Sequence, residues 1–208
     1  MEMNANPLVS VLTPVYNGDR YLAECIESIL KQTYVNFEYI IVNNNSTDRT
    51  LTVASHYANI DSRIRIHNNS QLVPVIKNHN IAFGLVSSAA KYCKVVSADD
   101  FIFPDCLIRM VELAEGNPSI GIVGSYEIAG GRVRWQGFEY PRSVFPGREI
   151  CRRSFLGDDP TFGFGSPTSI LYRADIIRSS RGEFYPNDSP HADTSACFKL
   201  LENSDYGF

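Results

Sequence analysis

The amino-acid sequence predicts an α/β fold with a mostly parallel sheet and helices on both faces, and three observations carry that reading. Short apolar runs of strand character alternate with segments of helical spacing from Leu8 to Ser125, an order that calls for right-handed crossovers. Polar clusters close three of those runs, at Tyr16-Asn17, Asn43–Asn45 and Asp99-Asp100, and sheets of this kind bind ligands at the carboxyl ends of their strands. The length, 208 residues at 44% hydrophobic and 20% charged, suits one well-buried domain.

Taken in order, Leu8–Thr13 (LVSVLT) reads as a short buried strand closed by Pro14. Asp19–Gln32 has helical spacing, with Leu22, Ile26, Ile29 and Leu30 on one face. Phe37–Val42 is a second strand, followed by Asn43–Asn45 and by Ser46-Thr47-Asp48, a helix-start signature. A helix over Arg49–Ala58 leads to a third strand, Ile64–His67, and a helix over Val73–Leu85 is entered at Pro74. Tyr92–Ser97 is the fourth strand, Pro104–Glu115 the next helix and Ile120–Ser125 the fifth strand. Beyond Ser125 glycine and proline become dense, and loops such as Asp158–Pro167 intervene. Residues 126–208 therefore read as a more irregular half that completes the sheet and builds the second side of a cleft, opposite a ligand-binding half at residues 1–125.

The stretch Val96–Pro104 (VSADDFIFP) is the most informative. Two adjacent carboxylates at a strand's end each raise the cost of ionising the other. A divalent cation between them and an anionic group rationalises the pair; a solvated helix-capping turn is the plainer alternative. No apolar run approaches the roughly 18 residues of a membrane span, and MEMNANPLVSVLTP lacks the basic region of a secretory signal. Five scattered cysteines without a CxxC pair favour reduced thiols in a cytosolic compartment over disulfides or zinc. A net charge of −4 argues against nucleic acid as a partner. Within that acidic chain, Arg132–Arg153 holds six arginines and two glutamates, a local +4, among the aromatics Trp135, Phe138, Tyr140 and Phe145. This is either a solvated face or the border of an acceptor cleft, with arginines such as Arg148 and Arg152 facing a phosphate-bearing acceptor or a membrane surface.

The sequence contains neither GxGxxG after the first strand nor GxxxxGK[ST], so dinucleotide redox chemistry and P-loop phosphoryl transfer lose their main support. TPVYN at Thr13–Asn17, VNNNSTDRT at Val42–Thr50, KNHNIAFG at Lys77–Gly84, SADDFIFP at Ser97–Pro104 and the tail HADTSACFKLLENSDYGF from His191 follow the order and spacing of family 2 glycosyltransferases, which the chain resembles along essentially its whole length. The resemblance implies the Rossmann-like GT-A fold, an inverting mechanism and a nucleotide-diphosphate sugar as donor, a UDP-sugar being favoured. It places Thr13, Pro14 and Tyr16 at the nucleobase, Asn44 at the base or ribose where relatives carry an acid, and Lys77 and Asn78 beside the ribose and phosphates. Ser97 stands where the family's metal motif opens with aspartate, leaving a hydroxyl for the ribose, while Asp99 and Asp100 are retained to hold Mn²⁺ or Mg²⁺. Asp193 matches the catalytic base, with His191 as an alternative proton acceptor or acceptor contact. Ser46, Thr47 and Asp48 read as a helix cap; His56, His67 and His79 read as structural or surface groups.

The implied activity is hexosyl transfer to a saccharide or lipid-linked acceptor in bacterial surface polysaccharide or glycan synthesis, in the cytoplasm or at the inner face of the plasma membrane, with peripheral membrane association. The resemblance also carries the expectation that a further segment follows Phe208. Two alternatives stand beside it. A catalytically weak nucleotide-sugar-binding module fits the substitutions at Asn43, Asn44 and Ser97. A sugar-phosphate nucleotidyltransferase would want a glycine- and lysine/arginine-rich loop after the first strand, which TPVYNGDRY is not.

Overall fold

A computed structural model describes residues 6–138, 141–157 and 163–208; Met1–Ala5, Tyr140 and the first half of the Asp158–Pro167 loop lie outside the described residues. The first half follows the alternation read from the sequence: β1 (Val9–Val15), α1 (Leu22–Leu30), β2 (Phe37–Asn43), α2 (Thr50–Ile60), β3 (Ile64–Asn68), α3 (Val75–Gly84), β4 (Tyr92–Val95), α4 (Cys106–Gly116) and β5 (Ile120–Val123). The second half adds the ribbon β6 (Glu127–Ala129) and β7 (Arg132–Arg134), then β8 (Val144–Pro146) and α5 (Gly147–Leu156). After the 3₁₀ turn Pro167–Ser169 come β9 (Leu171–Arg173), α6 (Ala174–Ser179), α7 (Ala192–Leu201) and β10 (Asp205–Gly207).

One sheet of order β3-β2-β1-β4-β9-β5-β10-β8 organises the described residues. The β3, β2, β1 and β4 strands pair in parallel, as do β5 and β10, whereas β9 runs antiparallel between β4 and β5, and β8 runs antiparallel to β10. Side chains alternate along each strand, so the sheet is buried on both faces. Val9, Val11, Tyr39 and Ile41 pack with Leu22, Ile26 and Ile29 of α1 and Leu107, Met110 and Val111 of α4. Leu12, Ile40, Val42 and Val95 pack on the other face with Ala82 and Phe83 of α3 and Ala196, Cys197 and Leu200 of α7.

Element ends differ from the sequence expectation for local reasons. Pro14 does not close β1 but lies within it, opposite Val42 of β2. Pairing with β4 stops at Leu12–Val95, so the missing proline N–H falls where that neighbour has ended. The α1 helix begins at Leu22 rather than Asp19 because the Tyr21 and Leu22 N–H groups both donate to Gly18 O in a tight turn. Pro104 and Asp105 form a turn ahead of α4, with Cys106 N donating to Phe103 O. The five cysteines are free thiols, and no described helix is long and apolar enough to cross a membrane.

Candidate active site

The carboxyl ends of β1, β2 and β4 carry the site. Past β4 the chain turns sharply, with Asp100 N donating to Ser97 O at 3.0 Å, and α1 braces this turn from below. The Cys25 thiol donates to Ser97 O at 3.4 Å, Ile102 N donates to Ser28 Oγ at 3.2 Å, and Gln32 Nε2 donates to Phe103 O at 2.8 Å. Gln32 Oε1 also accepts the Leu107 N–H, one of the amides that the first turn of α4 cannot pair within the helix. Thr168 closes the turn from the opposite side: it donates to Asp100 Oδ2 at 2.6 Å and accepts the Ser97 N–H at 3.0 Å, its oxygen 3.3 Å from Ser97 Oγ. Beneath Thr168 lies Lys94, fully buried, whose ammonium donates to the Thr168 and Ile170 carbonyls; burial pulls its pKa below the ordinary lysine range.

Asp99 is exposed and, among the described residues, accepts no hydrogen bond; Asp100 offers its other oxygen. No group of three or more His, Cys, Asp or Glu among the described residues is arranged to hold a metal. Two neighbouring carboxylates nevertheless fit Mg²⁺ or Mn²⁺, which take one or two protein carboxylates and complete their shell with substrate phosphates and water.

The residues expected from the sequence to hold the nucleotide divide into open and engaged. Pro14 is half-buried and Tyr16 is exposed, beside Asn17, which holds a positive φ of 49° and accepts the Thr47 N–H. Thr13, by contrast, is fully buried; its hydroxyl donates to Val96 O and accepts from Tyr39 OH, each at 2.9 Å. Asn44 also turns inward: Nδ2 donates to Val73 O at 2.8 Å, while Oδ1 accepts from Val73 N and Asn69 Nδ2. Asn69 donates in addition to Asn78 Oδ1 at 2.8 Å, and Asn78 is itself buried. Thr13, Asn44 and Asn78 thus have their polar ends paired inside the fold rather than open to solvent. Asp48 accepts the Thr50 N–H and hydroxyl and the Asp19 N–H, which is the capping role expected of it.

Lys77 is exposed on α3 and lines a second cleft of about 630 Å³ with Pro74, Asn80 and Glu183. Asp193 is half-buried in the first turn of α7, accepting the Thr194 N–H at 2.8 Å, and His191 is the exposed N-cap. Neither lines this cleft. His79 is no plain surface group: it stacks on Tyr185 with ring centroids 5.6 Å apart and shares a 3.0 Å hydrogen bond with Val75 O. Burial lowers its pKa, while the Val75 carbonyl and the Asp193 carboxylate act in the opposite direction.

A larger groove of about 1240 Å³ runs from Asp99 and Asp100 between the Phe101–Pro104 loop and the β6–β7 ribbon. Arg142 and Arg109 line it, whereas Arg148 and Arg152 do not. Those two lie on the exposed face of α5, whose other face carries the buried Ile150. Three of the segment's six arginines are engaged: Arg142 pairs with Glu149, Arg153 donates to Gly137 O at 2.6 Å, and Arg148 reaches Glu202 O at 3.5 Å.

Asn69, Thr168 and Lys94 escaped the sequence reading. Asn69 belongs to a polar cluster at the end of β3, the same signal that marked the other strand ends. Lys94 interrupts an apolar strand, a placement that requires a buried partner. Thr168 sits in a glycine- and proline-rich loop, and only the fold brings it to Asp100.

Residues 10–180 match the family described as "Glycosyl transferase family 2". An uncharacterized glycosyltransferase of Haemophilus influenzae is 39% identical over 120 residues, 58% of this chain and 36% of that protein, so the chain spans well under half the length of that relative. Among solved structures, S. aureus TarS 1-349 in complex with UDP-GlcNAc superposes with a TM-score of 0.71 at 20% identity, covering 96% of this chain and 58% of that one. The mannosyltransferase PcManGT from Pyrobaculum calidifontis, in complex with GDP-Man and Mn²⁺, gives 0.70 at 17% identity, covering 98% of this chain and 55% of that one. At these identities the two structures establish the shared fold. With the family match spanning residues 10–180, this chain belongs to glycosyl transferase family 2.

Proposed function

We propose that the chain is the donor-binding and catalytic part of an inverting glycosyltransferase that takes a hexose from a nucleotide-diphosphate sugar, a UDP-sugar in the first instance. The observation that carries this reading is the braced Asp99-Asp100 turn past the carboxyl end of β4, next to the parallel strand β1, whose own carboxyl end carries the open Pro14 and Tyr16. Solved relatives with UDP-GlcNAc and with GDP-Man and Mn²⁺ on the same fold support both the donor class and the ion. By family resemblance alone the reading extends to bacterial surface polysaccharide or glycan assembly.

Asp99 and Asp100 would hold the divalent cation, which supplies charge neutralisation to the departing diphosphate. Pro14 and Tyr16 would orient the base, with the Asn44–Asn69–Asn78 network fixing the walls beneath it. Lys77 is the exposed cation on the phosphate side. Asp193 accepts the proton of the acceptor hydroxyl as its oxygen bonds to the anomeric carbon and the carbon–oxygen bond to the diphosphate breaks. His191 stands next to it as a contact to the acceptor.

Slow hydrolysis of nucleotide-sugars with water as acceptor tests this without knowledge of the natural acceptor. Mn²⁺-dependent release of UDP from a UDP-hexose, abolished in Asp99→Asn/Asp100→Asn and cut at least about a hundredfold in Asp193→Asn, is the expected result for a general base. Nucleotide-sugar binding with no release under any condition would instead favour the catalytically weak binding module.

A further inference from the structure

Lys94 breaks the pattern of the strand it sits in. Its neighbours Cys93, Val95 and Val96 are fully buried, and so is its own side chain; the other lysines, Lys31, Lys77, Lys91 and Lys199, are exposed. Taking an ammonium out of water is costly, and an apolar residue of similar shape often gives a more stable core. Among the described residues no carboxylate forms an ion pair with Lys94. Its ammonium donates instead to the carbonyls of Thr168 and, at 3.3 Å, Ile170. Burial lowers its pKa, and of the Cys106, Cys93 and Asp100 side chains that favour its charge only Asp100 is a carboxylate.

Those two carbonyls belong to a turn that cannot hold itself. Pro167–Ser169 is a single 3₁₀ turn, and so short a turn leaves carbonyls without internal partners. Ser166 O accepts the Ser169 N–H, Pro167 O accepts the Ile170 N–H, and Ser169 O accepts the Ser125 hydroxyl at 3.2 Å. The Thr168 and Ile170 carbonyls remain, and Lys94 takes both, so every carbonyl from Ser166 to Ile170 is paired. Fixing the Thr168 carbonyl fixes the direction of its side chain. That hydroxyl donates to Asp100 Oδ2 at 2.6 Å and accepts the Ser97 N–H at 3.0 Å. Lys94 also lies on the strand that runs into the Ser97–Asp100 turn, opposite Leu171 of β9, so one residue ties both sides of the carboxylate turn together.

We infer that Lys94 is a positioning residue for the carboxylate pair: its ammonium clamps the Pro167–Ser169 turn, and the clamped Thr168 hydroxyl orients Asp100 so that its second oxygen faces a divalent cation together with Asp99. The inference rests on the metal reading of Asp99 and Asp100 above and adds the residue that sets their geometry from inside the core. Lys94 touches neither substrate nor ion; it acts through Thr168.

The test is a double-mutant cycle on UDP affinity, measured by calorimetry in Mn²⁺ and in EDTA for wild type, Lys94→Met, Thr168→Val and the double variant. Methionine keeps the apolar stem and removes the donor, and thermal melts check that each variant is folded. One hydrogen bond is worth about two- to tenfold in an equilibrium constant, so Lys94→Met should cut the Mn²⁺ gain in affinity at least about threefold and leave affinity in EDTA within about twofold of wild type. The double variant should fall no more than about twofold below Thr168→Val, because without the hydroxyl the clamp has nothing to orient. A full Mn²⁺ gain in Lys94→Met, an equal loss in EDTA, or losses that multiply in the double variant overturn the assignment. No Mn²⁺ gain in the wild-type chain would overturn the metal reading along with it. Should Lys94→Met fail to fold, wild-type protein labelled with ¹⁵N at lysine Nζ answers by NMR. The Lys94 ammonium, set apart from the exposed lysines by its slow proton exchange with water, should shift with UDP plus Mg²⁺ and stay in place with UDP in EDTA. A resonance that responds to both alike, or to neither, overturns the assignment.

Discussion

Thr168 touches the carboxylate pair from a turn remote in sequence, and its single hydroxyl both accepts the Ser97 N–H and donates to Asp100. Thr168→Val keeps the shape and removes both bonds, leaving a part-buried N–H unpaired at a cost of about 1–3 kcal/mol. The expected outcome is a modest loss in denaturant midpoint together with weaker Mn²⁺-dependent UDP binding, both recovered by Thr168→Ser; unchanged UDP affinity in the valine variant would detach Thr168 from the site. His79 gives a pH signature. Burial sets its folded pKa below the ordinary 6.5, so the unfolded chain takes up the proton first. Its contribution to stability is full above 6.5 and is lost as pH falls from there through the folded value. The depressed carboxylates Asp48, Asp61, Glu115 and Asp175 act lower, as pH falls below their ordinary 3.8–4.5. His79→Phe, which retains an aromatic stack on Tyr185, should therefore flatten the stability profile between pH 7 and pH 5. A profile as steep as wild type would remove His79 from that role.

At the scale of elements, the first five strands and four helices were legible because most carry a local signal: short continuous apolar runs in strands buried on both faces, a 3.6-residue stripe in α1 and proline at helix entries. Their ends were less so, since they are set by contacts between elements, such as Gln32 of the α1 end pairing with the first turn of α4. The short second-half strands of three residues are too brief to show a period, and they form where a partner is at hand: β9 between β4 and β5, β10 between β5 and β8, and β6 against β7. Gly147 shows how tight that half is. It starts α5 against the end of α7, and an added Cβ would lie 2.1 Å from Ser204 O and 2.2 Å from Leu201 O. Backbone oxygens cannot rotate aside, so Gly147→Ala should cost about 2–3 kcal/mol in urea unfolding, at the upper end of overpacking penalties. A loss below about 0.5 kcal/mol would mean that the α5–α7 junction gives way.

For the whole molecule, the sequence order implied a parallel sheet, but not that β9 would run antiparallel between β4 and β5. That insertion joins residues about 50 positions apart on the β5 side and about 80 on the β4 side, and depends on packing across the whole sheet. It also brings Thr168 to the carboxylate turn and the Thr168 and Ile170 carbonyls to Lys94 of β4, which is why Thr168 was invisible until the fold was known. Asp99, Asp100, Pro14 and Tyr16 were legible because a polar cluster at a strand's end is a local pattern with a topological meaning. Asn44 carries the same pattern and turns inward, as do Thr13 within β1 and Asn78 on α3, and residue type alone does not separate a wall from a contact. The central claim is that the Asp99-Asp100 turn couples a divalent ion to a nucleoside diphosphate. Calorimetric titration of UDP into the wild-type chain and into Asp99→Asn/Asp100→Asn, each in Mn²⁺ and in EDTA, tests it most directly. Wild type should bind at least about tenfold tighter with Mn²⁺, a gain of about 1.4 kcal/mol, and the double variant should show no such gain at an unchanged melting temperature. Equal wild-type affinities in Mn²⁺ and EDTA, or a full Mn²⁺ enhancement in the double variant, would contradict the account.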